Sequence, residues 1–399
     1  MPFDVGRVRG LIPAVGDGWA HLDSAVGMLT PEQVTLVVST VMRAPVSATG
    51  GVFPASRRAE VIEDAARQSM ADLVGADPRG VVLGPGAEVM LRRLAEALSE
   101  TWNLGDEIVL TRLDDCANVT PWLHCAQARG VEVRWAEIEI DNCELPSWQF
   151  RELVGHPTRL VAITAASATV GTCPDVAAVA KLAREHGALT VVDASMATPF
   201  EPQDIDTLGA DVMALSATAW GGPPVGALVF RNPALLDRLP SCSLENDARG
   251  PHRLELGPHS YPLLAGLIAS VDHLAGLDTT ATGTRRERVL ASMSAVQLHQ
   301  SGLLAELLLE LSALRGVTVV GNPERRVPLL SFTHSDVKAN DIAEHLAQRA
   351  VCAFADAGDQ GVLAQLGSSE VGGVVRIGLA HYTTRGEIDA LVTAVSQLG

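Results

Sequence analysis

Through the first two thirds of the chain, short apolar runs alternate with segments whose apolar residues recur at helical spacing, the pattern of a largely parallel sheet covered on both faces. Val81 to Leu83, Glu107 to Leu113, Val131 to Trp135, Leu160 to Ala165, Leu189 to Val192 and Val212 to Ser216 read as strands. Val225 to Phe230 follows the turn Gly221-Gly222-Pro223-Pro224 too closely for a parallel crossover, so it is expected as an antiparallel neighbour. Leu91, Leu94 and Leu98 share one face of a helix that opens after Gly84-Pro85-Gly86. Thr30-Pro31-Glu32-Gln33 combines a capping threonine, a first-turn proline and a glutamine able to reach back, which predicts a helix running to about Arg43. Ser56 predicts the start of another, ending near Gly75.

From about Ser260 the texture changes. Long helical patterns, Tyr261 to Leu277 and Arg285 to Leu314, precede short strands and two further helices, the last opening with its own signal in Thr384-Arg385-Gly386-Glu387. Two domains are therefore expected: a large α/β domain over residues 21–275, and a smaller α+β domain over 285–399 joined by 1–20. No internal repeat interrupts this organisation.

With 399 residues and 47% hydrophobic content, the chain is long enough for both cores. A formal charge of -17 would repel nucleic acid and anionic membranes, which are bound chiefly through Lys and Arg. The N-terminus lacks the apolar core of a signal peptide, and Val34 to Met42 is too short to span a bilayer. A cytoplasmic protein is expected. The six cysteines form no CxxC pair, so reduced thiols are expected rather than a zinc module or a disulfide scaffold. Cys116, His124 and Cys125 lack an evident fourth ligand, and no metal site is expected. Gly84-Pro85-Gly86 lacks the third glycine of a dinucleotide fingerprint, and its proline removes a backbone donor. One scarcity matters for chemistry: of 30 basic residues only Lys181 and Lys338 are lysines.

In open α/β sheets, ligands sit beyond the carboxyl ends of the strands. Several segments at such places, in order, are His21-Leu22-Asp23-Ser24-Ala25, Gly105-Asp106-Glu107-Ile108-Val109, Ala117-Asn118 with Pro121-Trp122, and Val192-Asp193-Ala194. Ser216 through Gly226, Val375-Arg376-Ile377-Gly378 and His381-Tyr382-Thr383-Thr384 complete the set. Together they resemble the class V aminotransferase family, and within it the cysteine desulfurase-like branch, over nearly the whole chain. The resemblance implies a fold type I pyridoxal-phosphate transferase architecture, with a mostly parallel seven-stranded sheet, a smaller C-terminal domain, and a homodimer whose cleft is completed by the partner chain.

It also implies pyridoxal phosphate as cofactor. Gly86, Ala87, Asn118, Asp193, Ser216 and Thr218 fall at cofactor-binding positions. Asp193 corresponds to the aspartate that keeps the pyridine nitrogen protonated, or else it caps nearby amides. Ser216 corresponds to a phosphate-binding serine, or is an ordinary post-strand serine. Arg376 corresponds to the arginine that clamps a substrate carboxylate bidentately, the alternative being a surface ion pair.

The departures from the family are as informative as the matches. The lysine that forms the Schiff base corresponds to Ala219 in Ser216-Ala217-Thr218-Ala219-Trp220-Gly221-Gly222-Pro223, and a methyl group can neither hold the cofactor nor move a proton. The ring-stacking histidine corresponds to Asp115 and the phosphate-binding threonine to Glu88. Ala168, Met196 and Pro258 stand where further polar contacts would be, and the stretch Asp356 to Ser369 lacks the mobile-loop cysteine of a desulfurase. Such a set reads as natural loss rather than a single trapping substitution. Three readings follow. One is a non-catalytic or ligand-sensing homodimer that binds a small carboxylate through Arg376. Another is a transferase or lyase acting on an amino acid with non-covalently held cofactor. The third is a structural partner for a related active subunit.

Overall fold

The structure, a computed structural model, describes residues 3–398. Its strands are β1 (Ala20–His21), β2 (Val81–Gly84), β3 (Glu107–Thr111), β4 (Glu132–Ala136), β5 (Thr158–Thr164), β6 (Leu189–Asp193), β7 (Val212–Ser216), β8 (Gly226–Phe230), β9 (Val317–Val319), β10 (Leu329–His334), β11 (Val351–Cys352), β12 (Phe354–Asp356) and β13 (Val374–Gly378). Seven form one sheet in the order β2-β8-β7-β6-β5-β3-β4. From β7 through β4 the pairings are parallel, while β8 runs antiparallel to both β7 and β2.

Side chains alternate between the faces of a strand, and here each face feeds its own core. Val161, Ile163, Val192, Met213, Leu215 and Val229 pack into one cluster with Met70, Val179 and Leu267. Leu160, Ala162, Val191, Ala214, Leu228 and Phe230 pack into another with Leu91, Leu94 and Trp122. Burial on both faces is why these strands read as continuous apolar runs. A third core lies against the four-stranded antiparallel sheet β12-β13-β10-β9. The long helix Arg285–Ala313 joins the regions: Val289, Met293 and Val296 enter the first core, while Leu303, Leu307 and Leu311 enter the third. No helix among the described residues is long and apolar enough to cross a membrane.

Local signals held unevenly. Thr384 opens the helix Arg385–Val395 as a capping box, with Glu387 accepting from its backbone N–H (2.7 Å) and its hydroxyl (2.9 Å). The corresponding box at Thr30 does not form. Pro31 takes the capping position of the helix Glu32–Arg43, and the Glu32 N–H donates to the carbonyl of Leu11 (3.0 Å). The next helix starts at Pro54 rather than Ser56, whose hydroxyl instead ties Ala48 to Gly51 across the preceding loop. Strand β3 ends at Thr111, two residues early, because the Thr111 hydroxyl accepts from the N–H groups of Leu113 and Asp114 (3.2 Å each) and turns the chain.

The antiparallel β8 fixes one wall of the cleft. A Cβ on Gly226 would lie 2.3 Å from the Gly86 carbonyl carbon and 2.5 Å from the Ala87 nitrogen, so only glycine lets β8 run under the start of the helix Ala87–Ser99. Gly226→Ala is expected to destabilise the protein by about 2 kcal/mol or more through overpacking against backbone. Equilibrium denaturant unfolding measures this, and a midpoint unchanged from the parent would show that the contact yields freely.

Candidate functional site

The segments that follow β3 and β5 at the carboxyl edge of the large sheet line one cavity with Arg376 of β13. After Thr111 the chain delivers Asp114 into the interior, where it is 4% exposed. The Thr111 hydroxyl and the Asn118 amide (2.6 Å) donate to its carboxyl, and the Trp122 indole N–H in turn donates to Asn118 (3.2 Å). Burial pushes this carboxyl up to about 7, against those two hydrogen bonds, and the neighbouring Asp193 adds to the push. Asp193 closes β6, with the Ser195 N–H donating to its Oδ1 at 2.9 Å. Burial likewise raises Asp193 to about 6, with Asp115 and Glu88 contributing unfavourable charge. Four carboxyl groups thus share one region.

The positions singled out from sequence are distributed as follows. Gly86 caps the helix Ala87–Ser99 with no side-chain hydrogen bond, and Ala87 is buried behind it. Glu88 turns back over this helix start, placing Oε2 2.7 Å from where a Gly86 Cβ would be. Asn118 donates to Asp114 and accepts from Trp122. Ser216 and Thr218 bring their hydroxyls within 3.1 Å of each other. Ala219 is buried in the turn Ala217–Trp220, which is locked by the Trp220 indole donating to Ser270 (3.0 Å) and by the Gly222 N–H donating to Ala217 (2.8 Å). Both lysines lie elsewhere: Lys181 is exposed on the helix Val176–Glu185, and Lys338 is exposed at the start of the helix Ala339–Ala347.

Arg376 rises from β13 into a cavity of about 550 Å³ that Asp114, Trp135, Ala168, Asp356 and Leu363 also line. Its Nη2 donates to the Ala168 carbonyl (2.9 Å), Nη1 stands 3.5 Å from Asp356, and Nε is buried without an acceptor. A second hollow of about 480 Å³ adjoins it, bordered by Glu88, Arg92, Asp115 and Cys116. Asp115 and Cys116 belong to both. Met196 is half-buried near Asp193 in sequence, and Pro258 is exposed beside a separate hollow with Gly84 and Pro85.

Two cavity residues escape a reading by sequence alone. Asp114 is the better buried of two adjacent aspartates, and its signal is the spacing Thr111, Asp114, Asn118, one hydrogen-bonded turn after a strand. Arg112 stacks 3.7 Å over the Trp135 ring and supplies a second guanidinium on the cavity wall. The short helix Gly361–Gln365 also covers the cavity, with Val362 and Leu363 buried.

Comparison with known proteins places these features in context. Residues 20–391 match the family described as Aminotransferase class-V. Over 100% of both chains the sequence is 46% identical to an uncharacterized protein of Mycobacterium tuberculosis (strain CDC 1551 / Oshkosh). It is 25% identical to a cysteine desulfurase of Yersinia pestis (strain Pestoides F), across 100% of this chain and 99% of that one. The crystal structure of the Escherichia coli cysteine desulfurase CsdA superposes with a TM-score of 0.85 at 24% identity, covering 100% of this chain and 98% of that one.

The charge at the site has a sign that experiment can read. Asp193, raised to about 6 in the folded protein, holds a proton there that an unfolded chain releases near its usual carboxylate pKa. Folding stability therefore falls as pH rises through that window. Asp193→Asn keeps the acceptor for Ser195 and removes the charge, so it is expected to raise Tm by a few degrees at about pH 7.5 and by little at about pH 4. Equal destabilisation at both pH values would show that the carboxylate is favourably held.

Proposed function

The chain belongs to the aminotransferase class V family, and we propose that it uses the family's cleft to bind a small carboxylate without covalent pyridoxal-phosphate catalysis. Pyridoxal phosphate is the cofactor the family implies, and the residues at its expected place do not fit it. Neither lysine of the chain is near the cleft, and the position corresponding to the Schiff-base lysine is the buried Ala219. A helix N-terminus attracts anions through its unpaired N–H groups and dipole, and here Glu88 already presents a carboxylate to it. A phosphate placed about 4 Å from that carboxylate would meet roughly 4 kcal/mol of repulsion per pair of unit charges at an effective dielectric near 20. Asp114, Asp115 and Asp193 add to the negative field.

The observation that carries the positive part of the reading is Arg376. Its guanidinium sits on the cavity wall with a buried, unpartnered Nε, and although Nη2 donates to the Ala168 carbonyl, its one carboxylate contact, to Asp356, is long. A ligand carboxylate would supply the strong acceptor that this arginine lacks, in the bidentate geometry guanidinium favours. The surrounding carboxyls suit an ammonium group on the same ligand, so a small amino acid is the preferred class. A second copy of the chain, completing the cleft as family membership suggests, belongs to the same proposal, and no covalent step is assigned to it.

Calorimetric titration with a panel of small carboxylates and amino acids, compared with Arg376→Met, tests the reading. Loss of a charge-assisted hydrogen bond is worth about 1.5–3 kcal/mol, so affinity should fall roughly tenfold to a hundredfold in the variant. Equal affinity in both proteins would remove Arg376 from the role. Titration with pyridoxal phosphate tests the other half. The parent protein and Ala219→Lys should both fail to develop a saturable visible band at micromolar cofactor, whereas Ala219→Lys with Glu88→Thr is the variant able to gain one. A full band in the parent would overturn the loss of cofactor function.

A further inference from the structure

The geometry points to a divalent transition-metal site outside the cleft, formed by His21, Asp23 and Cys352 with Asp17 beside them. Strand β1 pairs in parallel with β11 so that His21 stands directly opposite Cys352, and Asp23, two residues beyond His21, follows on the same side. One donor atom from each of His21, Asp23 and Cys352 lies within 4.8 Å of the other two. Bonds of about 2.0–2.3 Å to a tetrahedral zinc ion set ligand atoms roughly 3.3–3.8 Å apart, so small side-chain rotations close this triangle on an ion. Both Asp17 oxygens stand 3.2 Å from His21 Nε2, which makes Asp17 either a fourth ligand or the carboxylate that orients the imidazole.

The chemistry of the donors narrows the ion. Thiolate with imidazole selects zinc, cobalt or ferrous iron over magnesium or calcium, which prefer all-oxygen shells. The cluster is also short of positive charge: among the described residues no arginine or lysine bridges to Asp17 or Asp23, and His21 is the only basic partner of Asp17. The other cluster of compatible ligands, Glu63, Glu255 and His259, already holds the Arg67 guanidinium, with Glu255 at 2.7 Å and Glu63 at 2.6 Å, and leaves no room for a metal. Asp17 is half-exposed, so an ion could enter from solvent, and it would tie the N-terminal segment to the β11 strand near the chain's other end.

Chelator-treated protein titrated with Co(II) tests the site without any knowledge of the cleft ligand. One equivalent should bind, giving visible ligand-field bands and a near-ultraviolet thiolate charge-transfer band. Cys352→Ser should abolish the charge-transfer band, and His21→Ala or Asp23→Asn should weaken binding at least tenfold. Cys242→Ser, at a cysteine remote from the cluster in the fold, should change nothing, and Mg(II) should not compete. Absence of a saturable Co(II) spectrum in the parent, or an unchanged spectrum in Cys352→Ser, would overturn the proposal. If Cys352→Ser does not fold, alkylation of the parent decides: Zn(II) should shield Cys352 from iodoacetamide as read by peptide mass spectrometry, and full labelling in its presence would sink the site.

Discussion

Insertion of β8, antiparallel, between β2 and β7 is the constraint on which the cleft depends. Its hydrogen bonds set the separation of the two strands whose ends carry the Gly86 helix start and the Ser216 turn. Gly226 then presses directly on the Gly86 and Ala87 backbone, and Gly221, in the left-handed region at φ 85°, lets the Ala217–Trp220 turn close against Leu29. Neither wall can move without breaking a ladder buried on both faces. The cleft is a rigid product of the sheet, and what it binds is decided by the side chains placed on it.

Four carboxyls lie along one edge, and two of them are pushed up to about 6 and about 7 by burial with no buried cation to compensate. The hydrogen bonds from Thr111, Asn118 and Ser195 recover part of that cost but not all of it. Arg376 and Arg112 provide positive charge on the wall of the same cavity that Asp114, Asp115 and Asp356 line.

Much of this was legible in the sequence where one physical rule dominates. Strands buried on both faces leave apolar runs with sharp ends, and Val212 to Ser216 agrees in both its limits. Asp193, Ser216 and Arg376 are singled out by the resemblance to the class V family; in the fold Asp193 and Ser216 close β6 and β7, while Arg376 lies within β13. Where rules compete, sequence misleads: the Glu32 N–H near Thr30 goes to the distant Leu11 carbonyl, and Thr111 ends its strand by accepting from the backbone of Leu113 and Asp114. In the cluster of His21, Asp23 and Cys352, the pair His21 and Asp23 is local, but Cys352 comes from the other end of the chain and joins them only through the register of β1 and β11.

The segment between Asp356 and Ser369 bears on what the cleft can do. Where the family resemblance leads one to expect a mobile loop carrying a cysteine, the chain forms the short helix Gly361–Gln365, and Val362 and Leu363 join the main hydrophobic core. Burying each such side chain contributes about 1.5–3 kcal/mol as an upper estimate, so lifting the segment would forfeit several kcal/mol before any ligand contact is made. A loop that must swing a nucleophile to and fro cannot be anchored so firmly, and this one carries no nucleophile to swing. It acts instead as a fixed cover over the Arg376 cavity. On the reading proposed above, such a cover would suit a small ligand that enters an already formed space, and Ala219 offers no amine there.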